Sequence, residues 1–352
     1  MTTTTDSIFD AAALTQWATR ILKAKGVDAD KAAAVAEVLV EGDLLGHDTH
    51  GLALLGPYLD KINEGLLTPG GDIAELSDRP AAVLWDGNKL PGPWLTLQAI
   101  AKASERAKEY GTATVVIRRA GHIACLAAYL EAPARDGLLV EIHSSDPSVR
   151  SVAPFGGREA VFTPNPIGIG IPTGTDPMLV DISTSITTNG MSARLQAAEQ
   201  RFPGKWLLDN EGTPSDDPNV FATDPQGTIQ LLGGQDAGHK GYGLTLMVEA
   251  MTGGLAGYGR ANGVRGWGAT VMVRVTDTAA FDGRASFDKQ IDWVAEACAT
   301  NPAIDPANPV RLPGQRGLAR KRDALANGLR LNPLVLDAVQ KLAADSGIAL
   351  PV

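Results

Sequence analysis

Apolar positions recur with helical spacing up to about residue 67, and the breaks between them fall on residues that end or begin helices. Ala11 to Lys25 is alanine-rich and closes on Gly26; Asp28 or Asp30 caps a second helix running through Leu39; a third runs from about Leu52 to Glu64 and closes on Gly65. Gly46-His47-Asp48-Thr49-His50-Gly51 therefore falls at a junction between helices. From about residue 80 the texture changes. Ala81 to Trp85 reads as a strand, Trp94 to Tyr110 as an amphipathic helix stopped by Gly111, and Thr112 to Ile117 as a buried strand. A helix from about Leu126 to Arg135 ends at Gly137, before the strand Leu138 to His143. Further strands are expected at Ala160 to Phe162, Ile167 to Ile171, Met178 to Ile182 and Ala269 to Val275. Tyr242 to Leu255 reads as a helix with Leu244, Met247, Val248, Met251 and Leu255 on one face. The chain then returns to helices, with Asn332-Pro333 opening Leu334 to Ala344.

No internal repeat or low-complexity tract interrupts this order. It predicts an α/β or α+β body over 76–304, joined to a helical part built from both termini, 1–75 with 305–352. With 352 residues, 44% of them hydrophobic and 20% charged, the chain can bury a large core without staples. The formal charge of -9 argues against a nucleic acid or an acidic membrane surface as partner, since both call for a basic face; a small-molecule substrate fits better. Cys125 and Cys298 show no paired spacing, so neither a disulfide framework nor a thiolate zinc site is read, and a reducing cytoplasm is expected. Met1 to Asp6 has no basic region followed by an apolar stretch, and no run approaches the roughly 18 apolar residues of a membrane span.

Chemistry points to the histidines. All five lie in or beside glycine-flanked or polar stretches, four of them in Gly46 to Gly51, Gly121-His122 and Gly238-His239-Lys240-Gly241. Imidazole trades protons near neutral pH, so this distribution suits an active site better than a core. The dinucleotide fingerprint is missing. Gly168-Ile169-Gly170 begins like Gly-x-Gly-x-x-Gly, but the third glycine comes one place late and Pro172 stands where a helix should start. The P-loop fails too, because His239-Lys240-Gly241 replaces its Gly-Lys-Ser/Thr. Gly233 to Gly243 instead offers a glycine-rich loop running into a helix with Lys240 near its positive end, a plausible diphosphate site. His47 and His50 lack a further ligand set with metal spacing, so no metal site is read. Asp181 to Ser185 ends an apolar strand in an acceptor and three hydroxyls, suited to a ribose or an amide or to capping a helix.

At these residues the chain resembles the malate/L-lactate dehydrogenase family that lacks a Rossmann fold and also holds ureidoglycolate dehydrogenase, 2,3-diketogulonate reductase, sulfolactate dehydrogenase and cyclic imine reductases. The likeness runs from about residue 10 to 345. It is carried by Gly46 to Gly51 with Tyr58 and Gly65, Gly121-His122, Ser145-Asp146-Pro147, Val152 to Arg158, Asn165-Pro166, Asp181 to Ser185, Trp206 with Asp209 and Gly212, His239 to Leu244, and Leu312-Pro313-Gly314. It implies a mostly antiparallel mixed sheet flanked by helices and a homodimer. It also implies NAD or NADP bound outside any Rossmann domain, with hydride passing between nicotinamide and a small 2-hydroxy acid, 2-keto acid or cyclic imino acid. The family's acid/base histidines fall on His50 and His122. Its cofactor contacts fall on Ser145, Asp146, Ser183, Thr184, Ser185, Lys240, Gly241, Pro313 and Gly314, and the substrate contacts expected in this chain are His50, Leu54, Arg119 and Asn165.

Three positions depart from the family pattern. Leu54 stands where an arginine commonly grips the substrate carboxylate, Ala124 replaces a glycine, and Pro164 replaces the threonine of Gly-Thr-Asn-Pro. Arg119, Arg150 or Arg158 are candidates to supply the lost charge. The alternatives are a related substrate lacking the usual carboxylate, or a non-catalytic paralogue that binds the cofactor.

Overall fold

The structure is a computed structural model and describes residues 8–351; Met1 to Ser7, including the Met1 to Asp6 stretch read above, and Val352 lie outside it. In chain order, β1 (Ile8–Phe9) leads into α1 (Ala11–Ala24), α2 (Ala29–Leu45) and α3 (Leu55–Asn63), then β2 (Ala74–Arg79), β3 (Ala82–Asp86) and α4 (Gly92–Tyr110). β4 (Thr112–Ala120), α5 (Glu131–Arg135), β5 (Leu138–Ser145), β6 (Ile167–Ile171) and β7 (Met178–Ile182) follow. Next come α6 (Asn189–Ala197), β8 (Leu207–Leu208), β9 (Pro214–Ser215), β10 (Thr228–Ile229) and α7 (Gly234–Glu249). The chain closes with β11 (Ala269–Asp277), α8 (Arg284–Ala299), α9 (Gln315–Asn327), β12 (Leu329–Arg330) and α10 (Pro333–Ser346).

Seven strands form the central sheet in the order β2-β3-β4-β11-β5-β6-β7. Only β3 and β4 pair in parallel, so the sheet is mixed and mostly antiparallel, as expected. β11 lies in the middle, with Val271, Met272, Val273 and Val275 all buried. A strand buried on both faces reads as a continuous apolar run, which is why its pattern does not alternate.

Helices from both ends pack on this sheet around one apolar cluster that includes Leu14 and Trp17 of α1, Val35 and Leu39 of α2, Val115 and Ile117 of β4, Val271 of β11 and Val339 of α10. The Trp17 indole N–H donates to the carbonyl of Ile348 at 2.9 Å, and β1 pairs antiparallel with β12, so the two ends of the chain are tied together. α2 is buried nearly all round because α1, α4 and α9 all pack on it. A second, smaller cluster of Val152, Phe162, Phe202, Leu207, Val220, Ile229 and Leu231 sits under the three-stranded sheet β10-β8-β9.

Four local expectations change. Ala160 to Phe162 is no strand, because Phe162 makes only an isolated bridge to Val152. The stretch from Leu126 to Arg135 is a short 3-10 turn followed by α5, broken ahead of Pro133, whose ring carries no N–H to continue a ladder. α7 begins at Gly234, not Tyr242, with a kink at Ala237. Its inward face is Gly238, Gly241, Thr245 and Val248, leaving Met247 and Leu255 exposed. Close approach of backbone to backbone selects small residues there, and that overrides the apolar stripe. Finally, His143 lies inside β5, fully buried, with its Nε2 2.5 Å from Glu141 Oε1; it belongs to the core.

Candidate active site

The loop carrying His50 is fixed from beneath and from both sides. Gly46 ends α2, and the carboxylate of Asp43, in the last turns of that helix, accepts the Leu52 N–H at 2.7 Å. A Cβ on Gly51 would stand 2.4 Å from that carboxyl, so only glycine lets the loop press onto it. Asp48 is held from the C-terminal helices by Arg320 at 3.4 Å and by the Asn332 amide at 3.2 Å. Burial pushes the Asp43 carboxyl up to about 7; the Leu52 hydrogen bond opposes this and the charge of Asp48 adds to it.

His122 follows the end of β4. Its ring stacks on Trp267 with centroids 4.8 Å apart and planes 6° apart, and Trp267 in turn meets Tyr58 edge-on at 5.0 Å. The Tyr58 hydroxyl donates to the backbone carbonyl of His122. The Ala124 N–H donates to His122 Nδ1 at 3.1 Å, which leaves the ring proton of the neutral imidazole on Nε2. Burial, with a smaller contribution from His50, drives the His122 pKa down to about 3, so this ring is neutral near pH 7. The His50 ring lies 5.9 Å away at 24°, with Thr49 Oγ1 2.9 Å from its Nδ1. Burial lowers the His50 pKa as well; the Asp181 carboxylate works against this and His47 adds to it.

Both rings line one cavity of about 420 Å³ together with His47, Leu54, Asp146, Asp181, Ser183 and Trp267. A second cavity of about 340 Å³ adjoins it across His47 and Asp181, and holds Pro313, Gly314, Arg311 and Arg316. Gly314 opens α9 without a side-chain cap, so free N–H groups and two arginines gather at that end.

Of the residues expected at the site, His50, His122, Leu54, Asp146 and Ser183 meet in the first cavity and Pro313 and Gly314 in the second. Others stand behind the wall. Ser145 and Asn165 both donate to Glu249, which also takes the Arg260 guanidinium at 2.9 Å. Thr184 is buried against Pro164 and Thr245, and the Ser185 hydroxyl donates to the Thr187 carbonyl. Lys240 and Gly241 line neither cavity. Gly241 brings α7 onto the backbone of Thr184 and Leu232, where a Cβ would stand 2.9 Å and 2.5 Å from the two carbonyls; Lys240 beside it is exposed and makes no hydrogen bond or ion pair among the described residues.

Arg119 does not line the His50/His122 cavity. Its guanidinium lies on Asp86 at 2.7 Å and on Asn88 at 2.9 Å, because Asp86 is buried and needs a charge partner. Arg150 is exposed, and Arg158 lines a separate cavity with Phe155 and Gln235. Among the described residues, no lysine or arginine lines the His50/His122 cavity.

Three lining residues carry more of the site than their sequence signal suggests. Trp267 supports His122, and its only mark is the flanking Gly266 and Gly268. Asp181 reaches the cavity from the end of β7 and accepts the Ala127 N–H at 2.9 Å. Cys125, buried beside it, brings a thiol whose pKa is pushed well up, first by burial and then by Asp181.

Comparison with known proteins places this geometry. Residues 9–340 match the family model described as malate/L-lactate dehydrogenase. An L-lactate dehydrogenase of Cupriavidus necator is 28% identical over 96% of this chain and 97% of its own. In structure, malate dehydrogenase from Entamoeba histolytica superposes with a TM-score of 0.91 at 22% identity, covering 98% of this chain and 99% of that one. Δ1-piperideine-2-carboxylate reductase from Pseudomonas syringae gives 0.83 at 23% identity over 96% of this chain and 100% of that chain.

Proposed function

The chain belongs to the malate/L-lactate dehydrogenase family, and on that premise we propose that it moves hydride between a nicotinamide cofactor, NAD or NADP, and the reacting carbon of a small hydroxy, oxo or cyclic imino acid. The observation that carries this reading is the facing pair His50 and His122 in one cavity that also holds carboxylates and hydroxyls. The chain's own groups fit such a cofactor. Asp146 and Ser183 at the histidine end offer acceptors for a carboxamide, and the open start of α9 with Arg311 and Arg316 at the other end suits phosphates. Lys240 stands one residue from the point where α7 touches the Ser183–Ser185 wall, which supports a contact to the cofactor's phosphate or ribose.

When bound, nicotinamide supplies or accepts the hydride. The protein handles the proton. Neutral His122 presents its Nε2–H as a hydrogen-bond donor to the substrate oxygen or nitrogen, and the Ala124 contact fixes that tautomer. His50, whose proton the Asp181 charge helps to hold, takes up or releases the proton as the bond order at the substrate changes. Trp267, Leu54, Ile123 and Leu126 give the cavity apolar walls that keep water from the reacting carbon.

The exposed apolar side chains Leu246, Met247 and Leu255 support a homodimer in which α7 and the turn after it meet a second copy. No helix among the described residues is long and apolar enough to cross a membrane. The decisive experiment titrates the purified chain with NADH and NADPH by fluorescence and follows oxidation of the bound cofactor with pyruvate, oxaloacetate and cyclic 2-imino acids. A cofactor that neither binds nor is consumed would refute the reading.

A further inference from the structure

We propose that His47, Cys125 and Asp181 form a binding site for a thiophilic divalent cation, with zinc the best fit, inside the catalytic cavity. The three come from separate places in the chain: the loop after α2, the turn after His122, and the end of β7. Their donor atoms all lie within 4.8 Å of one another. Cys125 Sγ stands 3.5 Å from Asp181 Oδ2. That is close to the roughly 3.6 Å edge which tetrahedral zinc, with Zn–S near 2.3 Å and Zn–O near 2.1 Å, sets between two ligands.

A bound ion would take the place of the proton that the Cys125 thiol donates to Asp181 Oδ2. The His47 side chain makes no hydrogen bond among the described residues, and Cys125 has no disulfide partner. Asp181 accepts the Ala127 N–H through Oδ2, an outer contact that orients the carboxylate. Imidazole, thiolate and carboxylate together select zinc or cobalt over magnesium or calcium, which prefer oxygen alone. Three protein ligands leave a fourth position open, and His47 and Asp181 both line the cavity into which it would face.

Such an ion supplies what the cavity lacks. Its lining contains the carboxylates of Asp146 and Asp181 but no lysine or arginine, and Leu54 is apolar. An acidic substrate entering there meets no lysine or arginine among the described residues that line this cavity, and a cation at the open position provides a positive charge for its carboxylate. This role rests on the oxidoreductase reading; the site itself does not.

The test is metal binding by the full-length protein, apart from turnover. Chelator-treated protein is titrated with Co²⁺, followed by absorption, and with Zn²⁺, followed by calorimetry. The expected result is one ion per chain with a thiolate-to-cobalt charge-transfer band in the near ultraviolet. The band should vanish in Cys125→Ser, and affinity should fall at least tenfold in His47→Ala. His47 is partly exposed without a side-chain partner, so that variant keeps the test available should the buried cysteine variant fail to fold. Absence of the band in the parent protein, or Co²⁺ and Zn²⁺ binding unchanged in His47→Ala, overturns the site. NAD(P)H binding and turnover that persist without any metal binding would overturn the site while leaving the oxidoreductase reading intact.

Discussion

Asp43 is buried and His122 partly buried at the candidate site, and their shifts act on stability with opposite sign. Asp43 has a folded pKa of about 7, above its ordinary carboxylate value, so the folded state holds that proton more tightly than the unfolded chain. The stability this contributes is full below the ordinary carboxylate range and is lost as pH rises through about 7. His122, with a folded pKa of about 3, contributes stability above the ordinary imidazole value that is lost as pH falls toward about 3. At about 1.4 kcal/mol per unit, moving from about pH 7 to about pH 5 makes Asp43 add on the order of 2 kcal/mol and His122 remove a similar amount. In the parent protein the two nearly cancel. Asp43→Asn keeps an acceptor for the Leu52 N–H, and His122→Asn keeps one for Ala124, while each removes its titration. The measurement is the unfolding free energy of each protein at the two pH values, by urea or guanidinium denaturation. Each protein serves as its own reference, so the packing lost in His122→Asn drops out of the difference. Relative to the parent, Asp43→Asn should lose about 2 kcal/mol on acidification and His122→Asn should gain about 2 kcal/mol. Profiles parallel to the parent, or shifts of the opposite sign, would refute the assignment of these two groups as perturbed.

Replacing His50 or His122 by alanine should lower turnover by about 100- to 10,000-fold with cofactor affinity little changed, as stopped-flow turnover and NAD(P)H fluorescence would show; near-parental turnover would remove the proton-handling roles. Lys240→Ala should raise the cofactor dissociation constant by roughly one to two decades, the worth of a charge-assisted contact, and an unchanged constant would take Lys240 out of the cofactor site. Gly51→Ala forces a methyl to 2.4 Å from the Asp43 carboxyl, so turnover should fall with a melting temperature below the parent's, and a variant indistinguishable in both would show that the loop yields freely. Leu54→Arg puts a guanidinium at the cavity wall and should improve kcat/KM for pyruvate about tenfold if the substrate carboxylate lands there, whereas an unchanged value places the carboxylate elsewhere.

The sequence by itself determined the helices at both ends, the strands of the central sheet from β3 onward, and the junction carrying His50, because these follow from local periodicity and from glycine and aspartate at helix ends. It missed β2, an exposed and charged edge strand whose Glu75, Ser77 and Asp78 give no apolar alternation. It also marked His50, His122 and Asp181 as chemistry, since glycine-flanked histidines and a strand ending in hydroxyls are local signals. Tertiary structure alone decided which arginines reach the site. Arg119 is spent on a buried Asp86 more than thirty positions away in the chain, and a partner of that kind leaves no trace in local pattern. It alone brought Trp267 flat onto His122 and set Cys125 beside Asp181, since both contacts join segments that are distant in sequence. The pKa values of Asp43 and His122 belong to the same class. Desolvation is a property of the space around a group, and that space exists only once the helices have closed over the sheet.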